Sequence, residues 1–491
     1  MAQTIALRSS PGRWVLLTTV LGSGMAMIDG TVVNVALPKL GEDLGAGMSG
    51  LQWTVNAYTL TLAGFILLGG SLGDRYGRRR VFMIGVVWFA IASALCGLAP
   101  NIGVLIVARA LQGIGGALLT PGSLAIIQAS FRPDDRPRAV GAWSGFGGVA
   151  AAIGPLVGGW LVETAGWRWV FLINLPMAAA VILISARHVP ETRDEGEEGS
   201  FDILGSVLAA AALAGITYGL IEMRVALIAG VALAAAFVVW EVRLSRRHNH
   251  VYPLIPVGIF TSRVFTSINV VTLIMYAAMG VVFFLLVVQL QVSAGFSPIL
   301  AGSAMLPVTI LMLLLSARSG ELAKQIGPRL PMTIGLLLCT GGLLLMSRIG
   351  ADASYVKDVL PAALVFGLGL SATVAPLTAT VLATAEERFA GVASGINNMV
   401  ARTGGLLAVA AIPPLVGLTG DAYASPALFT SGFHLAMLLS AGMLAAAALL
   451  SFVTITGNVL VTPEPIEEPE CRVHCAVGAP PLNPAKPRAE S

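Results

Sequence analysis

Charge is what this sequence has least of. Asp, Glu, Lys and Arg make up 11% of its 491 residues, against roughly 25% in a soluble domain. A chain so poor in charge cannot cover a water-facing surface, and 56% of it is hydrophobic, so a soluble globular protein is excluded. The formal charge of +3 is too small to point to nucleic acid, and no basic-aromatic cluster accompanies it, so no nucleic-acid partner is expected. Cysteine is scarce as well. Cys96 and Cys339 lie in apolar runs and read as small packing residues. Cys471 and Cys475 flank His474 in the tail, three groups where a closed metal site needs four. No disulfide framework and no metal are expected. His188, His248, His250 and His474 sit in loops or in the tail, and His434 is alone near the end of an apolar run. With no nucleophile-base pair, no catalytic residue is assigned and the chain is not read as an enzyme. No Walker-type phosphate loop occurs, which argues against ATP-driven work. No connection is long enough for the soluble domain that a receptor would carry.

What the chain has instead is apolar runs, each near the ~20 residues that cross a bilayer core, and a mean hydropathy of +0.84. Fourteen helices are read at 14–38, 51–72, 81–99, 103–129, 139–162, 169–187, 202–221, 224–243, 264–290, 298–319, 331–348, 359–384, 390–415 and 428–456. The first run is too long for a signal peptide, contains Asp29 and Asn34, and has no A-x-A-like site after it. It reads as the first membrane helix. Connections are short except for an acidic stretch from Arg187 to Ser200 and a polar one from Arg246 to Ser262. The Pro- and Glu-rich tail after Val461 reads as disordered. With the amino terminus inside, 22 of the 29 Lys and Arg fall on the cytoplasmic side. Only Lys39, Arg168, Arg224, Arg348 and Lys357 fall outside, and Arg109 and Arg402 lie within helices. A shift of one helix would scramble this bias, so the positive-inside rule supports both the count and cytoplasmic termini.

The two ends of the chain repeat one another at an offset of 250 residues. Gly70, Asp74, Gly77 and Arg79 recur as Gly320, Lys324, Gly327 and Arg329. Arg138, Gly141, Ser144, Gly145 and Gly154 recur as Arg388, Gly391, Ser394, Gly395 and Gly404. Each copy starts after an even number of helices, so the copies share one orientation, as in transporters built from parallel repeats. The expected organisation is a six-helix half over 1–190, a two-helix insertion with its linker over 191–250, a second six-helix half over 251–460, and a cytoplasmic tail over 461–491.

The loop after helix 2 reads GGSLGDRYGRRR. Helix 4 carries R-x-x-Q-G as Arg109, Gln112 and Gly113, and helix 5 carries G-P-x-x-G-G as Gly154, Pro155, Gly158 and Gly159. With IDGTVVNVALP in helix 1 and WRWVFLINLP at the start of helix 6, the sequence resembles the major facilitator superfamily over residues ~10 to 460. It is most similar to the fourteen-helix drug:proton antiporters. The resemblance implies an all-α membrane fold of two six-helix bundles plus two inserted helices. It also implies proton-coupled efflux of amphipathic small molecules by alternating access across the plasma membrane (the inner membrane of a Gram-negative cell). The partners would be substrate, protons and lipid, with no cofactor beyond the proton gradient, and the protein would act as a monomer. Export of a self-made metabolite or antibiotic is an alternative, and proton-coupled nutrient uptake a more distant one. The resemblance further implies that Gly70, Asp74, Arg75, Gly77, Arg78 and Arg79 build a cytoplasmic gate against the other half. The second-half copy has Lys324 where the first has Asp74 and lacks the basic triplet, so gating belongs to the first half.

Three charges lie well inside helices, where each is costly and marks function by default. Asp29 lies nine residues before Pro38, about 13 Å below the outer end of helix 1 at ~1.5 Å per residue. Arg109 lies about 9 Å below the same surface by the same rise. The depths match, and the resemblance implies that helices 1 and 4 both line the central cavity of the first half, so the two are expected to face one cavity and interact. Low dielectric favours a neutral acid and a guanidinium favours its anion, so a carboxyl between those pulls is suited to lose and regain a proton. A static ion pair is the plain alternative. Arg402 has no deep acidic partner in the second half, and either lines the cavity or pairs with carbonyls. Glycines around Pro155 predict close packing between the halves that resists proton leak, and Gly70 is expected to allow close helix approach. Asn34, Trp53, Tyr58, Gln112, Tyr276, Gln291 and Arg402 are candidates to line a substrate cavity. Gln52, Asn56 and Gln289 are weaker ones, and any of these reads equally as a packing or interfacial residue.

Overall fold

Backbone in lipid must satisfy its hydrogen bonds within itself, and the apolar runs accordingly form helices. The computed structural model describes residues 5–193, 202–246, 253–384, 390–420, 422, 425–456 and 459–460. The predicted tail, with Cys471, His474 and Cys475, lies outside them, as does Arg388 of the repeat. The spans are α1 (Ser10–Leu44), α2 (Met48–Tyr76), α3 (Arg78–Gly97), α4 (Ile102–Ser130), α5 (Arg136–Thr164), α6 (Trp169–His188), α7 (Ile203–Ile221) and α8 (Arg224–Arg246). Then follow α9 (Arg263–Ser293), α10 (Pro298–Ile326), α11 (Arg329–Met346), α12 (Tyr355–Ala383), α13 (Ala390–Leu415) and α14 (Pro426–Thr454).

Among the described residues, 13 of these are long and apolar enough to cross a membrane. The fourteenth, α13, is 26 residues long. Its Ser394, Asn397, Asn398, Arg402 and Thr403 hold its hydropathy down. The count of fourteen therefore stands, with the most polar span in the second half. Side chains mark the starts. Ser9 caps α1, Asn101 caps α4, Ser262 caps α9 and Ser297 caps α10, each accepting a first-turn amide, which satisfies one of the orphan donors there. Four spans are irregular. α6 breaks at Ile173, α10 breaks between Ser303 and Leu306, α9 ends in a π turn at Gln289–Ser293, and α12 begins in one at Tyr355–Val359. Such turns pass unseen in hydropathy, because they change the hydrogen-bond ladder and not the composition.

Helices α1 to α6 pack around α1 and α4, and α9 to α14 form the corresponding second bundle. The α7–α8 hairpin lies outside both, with α7 seated on α2 of the first bundle and α13 of the second. The end at which α1 begins is called the near end. At the far end the bundles interlock. Gln52 Nε2 donates to the Val409 carbonyl at 2.7 Å, Gln291 Nε2 to the Val35 carbonyl at 3.0 Å, and the Met48 amide to the Gly420 carbonyl at 2.8 Å. Gly159 of α5 lies against the backbone of Pro298 and Ile299, and Gly302 of α10 against the Pro155 carbonyl. Toward the near end the same face of α5 is open: no described atom approaches Gly141, Gly145 or Gly148, and Phe146 is exposed. Close packing of the α5 glycines between halves thus holds for Gly159 at the far end only. Gly154 and Gly158 pack on Thr31 and Val32 of α1, within the first bundle.

Candidate functional site

Asp29 sits mid-way along α1, opposite Arg109 on α4, and the two form an ion pair of 2.5 Å. Both are buried, at 0% and 1% exposure. The predicted meeting of the two side chains is therefore found, but the predicted cavity exposure is not. Tyr58 of α2 covers the guanidinium at 4.3 Å from its ring centroid, and Phe171 of α6 lies 5.7 Å away. Those rings remove water from the pair and leave the cation facing π density.

The carboxylate is held by more than Arg109. Gln112 Nε2, one helical turn on, donates to Asp29 Oδ1 at 2.8 Å, and Asn174 Nδ2 at the break in α6 donates to the same oxygen at 3.0 Å. Ser93 of α3 ties these two amides together, accepting from Gln112 at 3.0 Å and from Asn174 at 2.9 Å, while its hydroxyl donates to the Phe171 carbonyl. The guanidinium is anchored separately: Nε donates to the Thr54 carbonyl at 3.0 Å and one terminal nitrogen to Gln112 Oε1 at 2.6 Å. Five helices thus hold a single acid–base pair. Three N–H donors converge on one carboxylate, and Arg109 keeps two anchors of its own, the Thr54 carbonyl and Gln112 Oε1, if Asp29 is neutralised. That separation lets the pair part without leaving the cation wholly unsatisfied.

Sequence reading missed Ser93, Thr54 and Asn174. Asn174 had a signal, a lone amide in the apolar segment WRWVFLINLP, and the break that aims it at Asp29 was not visible. Ser93 is one of many small polar residues in apolar helices, and Thr54 acts through its carbonyl, so neither could be singled out.

The other cavity candidates scatter. Tyr58 and Gln112 belong to the buried network, with the Tyr58 hydroxyl donating to the Ala26 carbonyl. Trp53 turns outward, where Nε1 donates to Glu222 Oε1 at 3.2 Å and its ring meets Tyr218 of the hairpin. Gln291 is a far-end bridge beside a groove of about 330 Å³ lined by Pro38, Lys39, Glu42 and Phe296. Asn34, Tyr276 and Arg402 remain near the divide. Asn34 Oδ1 and Arg402 Nε have no hydrogen-bond partner among the described residues, and neither has Asn56, on either side-chain atom.

Among the described residues, the loop between α2 and α3 contacts its own half through Asp74, Arg78 and Arg79. Gly77 has φ of +107°, a conformation open to glycine. Asp74 pairs with Arg78 at 2.7 Å. Arg79 donates to the Val189 carbonyl at 3.0 Å, and its amide donates to Glu191 at 3.1 Å. Gly70 has only ordinary contact with Pro121. The close approach belongs to Gly69, where a β-carbon would strike the Ala117 backbone of α4. Neutralising Asp74 frees Arg78 and loosens the turn, so Asp74→Ala is expected to lower turnover by roughly tenfold, ~1.4 kcal/mol of barrier, with substrate affinity little changed. Initial-rate transport across a substrate series measures both.

Comparison with known proteins follows this geometry. The Major Facilitator Superfamily profile matches residues 19–409. Among curated proteins, the tetracenomycin C resistance and export protein of Streptomyces glaucescens is 34% identical over 420 residues, covering 83% of this chain and 77% of its own. The puromycin resistance protein pur8 of Streptomyces alboniger is 35% identical, covering 82% and 81%. The drug efflux pump JefA of Mycobacterium tuberculosis is 33% identical, covering 82% and 80%. Among solved structures, a transporter of the POT family in complex with 5-aminolevulinic acid aligns with a TM-score of 0.69 at 13% identity, over 91% of this chain and 97% of its own. A D-xylose-proton symporter aligns with a TM-score of 0.65 at 15% identity, over 92% and 99%. At such identities these two likenesses concern the fold alone.

Proposed function

This chain belongs to the Major Facilitator Superfamily, and from that premise we propose that it exports amphipathic small molecules across the plasma membrane in exchange for protons. Its named relatives are resistance, export and efflux proteins, which supports export over uptake. The observation that carries proton coupling is the Asp29–Arg109 pair, a carboxylate with three donors and full burial at the centre of the first bundle.

In this reading the near end is cytoplasmic and both termini lie there, as the distribution of Lys and Arg requires. The arrangement described above, interlocked at the far end and open along α5 at the near end, is the state that receives substrate from the cell. Every donor that meets the Asp29 carboxyl here is an N–H group. A proton arriving from outside, once the far end has opened, neutralises Asp29 and weakens its hold on Arg109. Thr54 and Gln112 then keep the guanidinium in place. Return to the near-end-open state lets the proton leave and the ion pair re-form. The Asp74–Arg78 pair serves the near-end gate, and on α5 Gly159 against Pro298 and Ile299, with Pro155 against Gly302, serves the far-end seal. The halves are those expected from the repeat, 1–190 and 251–460, acting as a monomer.

Substrate binds at the divide. Arg402 Nε, Asn34 Oδ1 and the Asn56 amide are without a hydrogen-bond partner among the described residues. These groups include no acid, and Asp29 is already paired with Arg109, so neutral and acidic amphiphiles are favoured over lipophilic cations. Efflux from inverted vesicles energised with a proton gradient tests the reading, over a panel of neutral, acidic and cationic antibiotics, with and without an uncoupler. Uncoupler-sensitive transport of the neutral and acidic compounds is expected, with Arg402→Ala weakening the acidic ones by about tenfold, equal to ~1.4 kcal/mol. Transport confined to cations, or indifferent to the uncoupler, would contradict it.

A further inference from the structure

A pair of buried carboxyl groups lies outside the Asp29 network, in the hairpin that the transport cycle above leaves unused. Asp202, at the start of α7, is 3% exposed, and Glu241, near the end of α8, is 2% exposed. Sequence reading singled out Asp29 as the acid well inside a helix and made nothing of Glu241. The folded hairpin corrects this, because α7 and α8 pack along their length and draw Glu241 inward. A β-carbon on Gly205 would strike both Asp202 Oδ2 and Glu241 Oε1, so only a glycine fits beside the two acids.

The donors are shared unequally. Asp202 Oδ1 accepts the Gly205 amide at 2.8 Å, and the Trp240 indole N–H reaches both Asp202 oxygens, at 2.9 and 3.0 Å. Glu241 Oε2 accepts the Ile255 amide at 3.1 Å, in the segment that leads into α9 and the second bundle. Glu241 Oε1 has no hydrogen-bond partner among the described residues, and it crowds Asp202 Oδ2 beside Gly205, where a β-carbon would meet both oxygens. Among the described residues, Asp202 is the charged side chain that meets Glu241 there. Arg243 and Arg246 on α8 and Arg263 on α9 are exposed, and the segment from Pro253 to Pro256 brings apolar side chains and backbone. Two adjacent buried anions with no cation between them are costly. One proton on Glu241 Oε1, donated to Asp202 Oδ2, resolves the contact and fills every position: Asp202 remains the anion with the N–H donors, and Glu241 becomes the neutral acid. A calcium or magnesium ion takes six or more oxygens, and among the described residues the carboxyl oxygens that meet here are these four, three of them already holding N–H donors.

We propose that Glu241 and Asp202 form a proton-binding site, a carboxylic acid donating to a carboxylate, whose occupancy fastens the inserted hairpin to the second bundle through the Ile255 amide. The hairpin is fastened to the first bundle at its other end, where Glu222 accepts from Trp53, so it spans the two parts that move against each other. Loss of the Glu241 proton sets two anions together, expels Glu241 and releases Ile255. A rise in cytoplasmic pH therefore slackens the clasp.

Infrared spectroscopy of the purified full-length protein in lipid tests the site, carried out on Asp29→Asn so that the other buried acid is removed. The C=O stretch of a protonated carboxylic acid is expected at neutral pH, lost when Glu241→Gln is added and lost on alkaline titration. Glu241→Gln alone keeps a donor toward Asp202, so it should transport at neutral pH as the parent does. It should also lack the parent's fall in rate at alkaline internal pH, whereas Glu241→Ala should be slow at every pH. Absence of the band, a band untouched by Glu241→Gln, or a band that responds to sodium at fixed pH would overturn the proposal. These outcomes are independent of whether Asp29 drives export.

Discussion

Replacing Asp29 with asparagine is expected to abolish uphill export while leaving exchange of substrate between the two sides intact. The substitution removes the titrating group and keeps the shape, so what is lost is coupling and not the pocket. It also has a structural cost. Arg109 would remain buried beneath Tyr58 and Phe171 without its anion, and breaking a buried pair by removing one partner costs about 3–5 kcal/mol. The Thr54 carbonyl and Gln112 bring the expected loss toward the lower figure. The double substitution Asp29→Asn/Arg109→Gln removes the orphaned charge and should recover most of that stability without recovering uphill export. Thermal unfolding in detergent and counterflow in proteoliposomes separate the two effects. A single substitution that lowers stability and export, with both restored in the double variant, would mean that the pair is a static strut.

Gly159→Leu is expected to shift the protein out of the state described here. Gly159 meets the backbone of Pro298 and Ile299 across the divide, and this contact exists only while the far end is shut. Overpacking a close contact costs ~1–3 kcal/mol, and a bias of that size moves a two-state equilibrium by about 5–150-fold. Transport should fall steeply, and cysteines placed on Val35 and on Gln291 should become reactive to an impermeant thiol reagent added from outside. Gly145→Leu, at the open near-end face of α5, should leave that labelling unchanged. Equal labelling of the two variants would place the seal elsewhere.

The legible part of this protein was the part written in composition and periodicity. Apolar runs gave fourteen spans, with ends off by at most seven residues. The depth of Asp29 and Arg109, counted in residues, together with the resemblance that puts helices 1 and 4 on one cavity, brought them together. Less visible was everything that depends on which way a side chain turns. Trp53 looked like a cavity residue and serves the hairpin, since a tryptophan near a helix end fits either role. Gly70 and Gly69 are adjacent in sequence, and only the packing of α2 on α4 tells which makes the contact. Glu241, inside the expected span 224–243, was not singled out, because its burial depends on the packing that brings it against a residue thirty-nine positions earlier in the chain, Asp202. The break that delivers Asn174 to Asp29 leaves no mark in hydropathy at all.

Substrate-driven proton movement is the most direct measure of the coupling on which this account depends. In proteoliposomes with a trapped pH indicator, no imposed pH gradient and the membrane potential clamped, a substrate gradient directed out of the lumen should acidify the lumen. The Asp29→Asn protein should carry substrate down the same gradient with no change in pH. Alkalinisation of the lumen by the parent protein, or acidification that persists without the Asp29 carboxyl, would contradict exchange at this site.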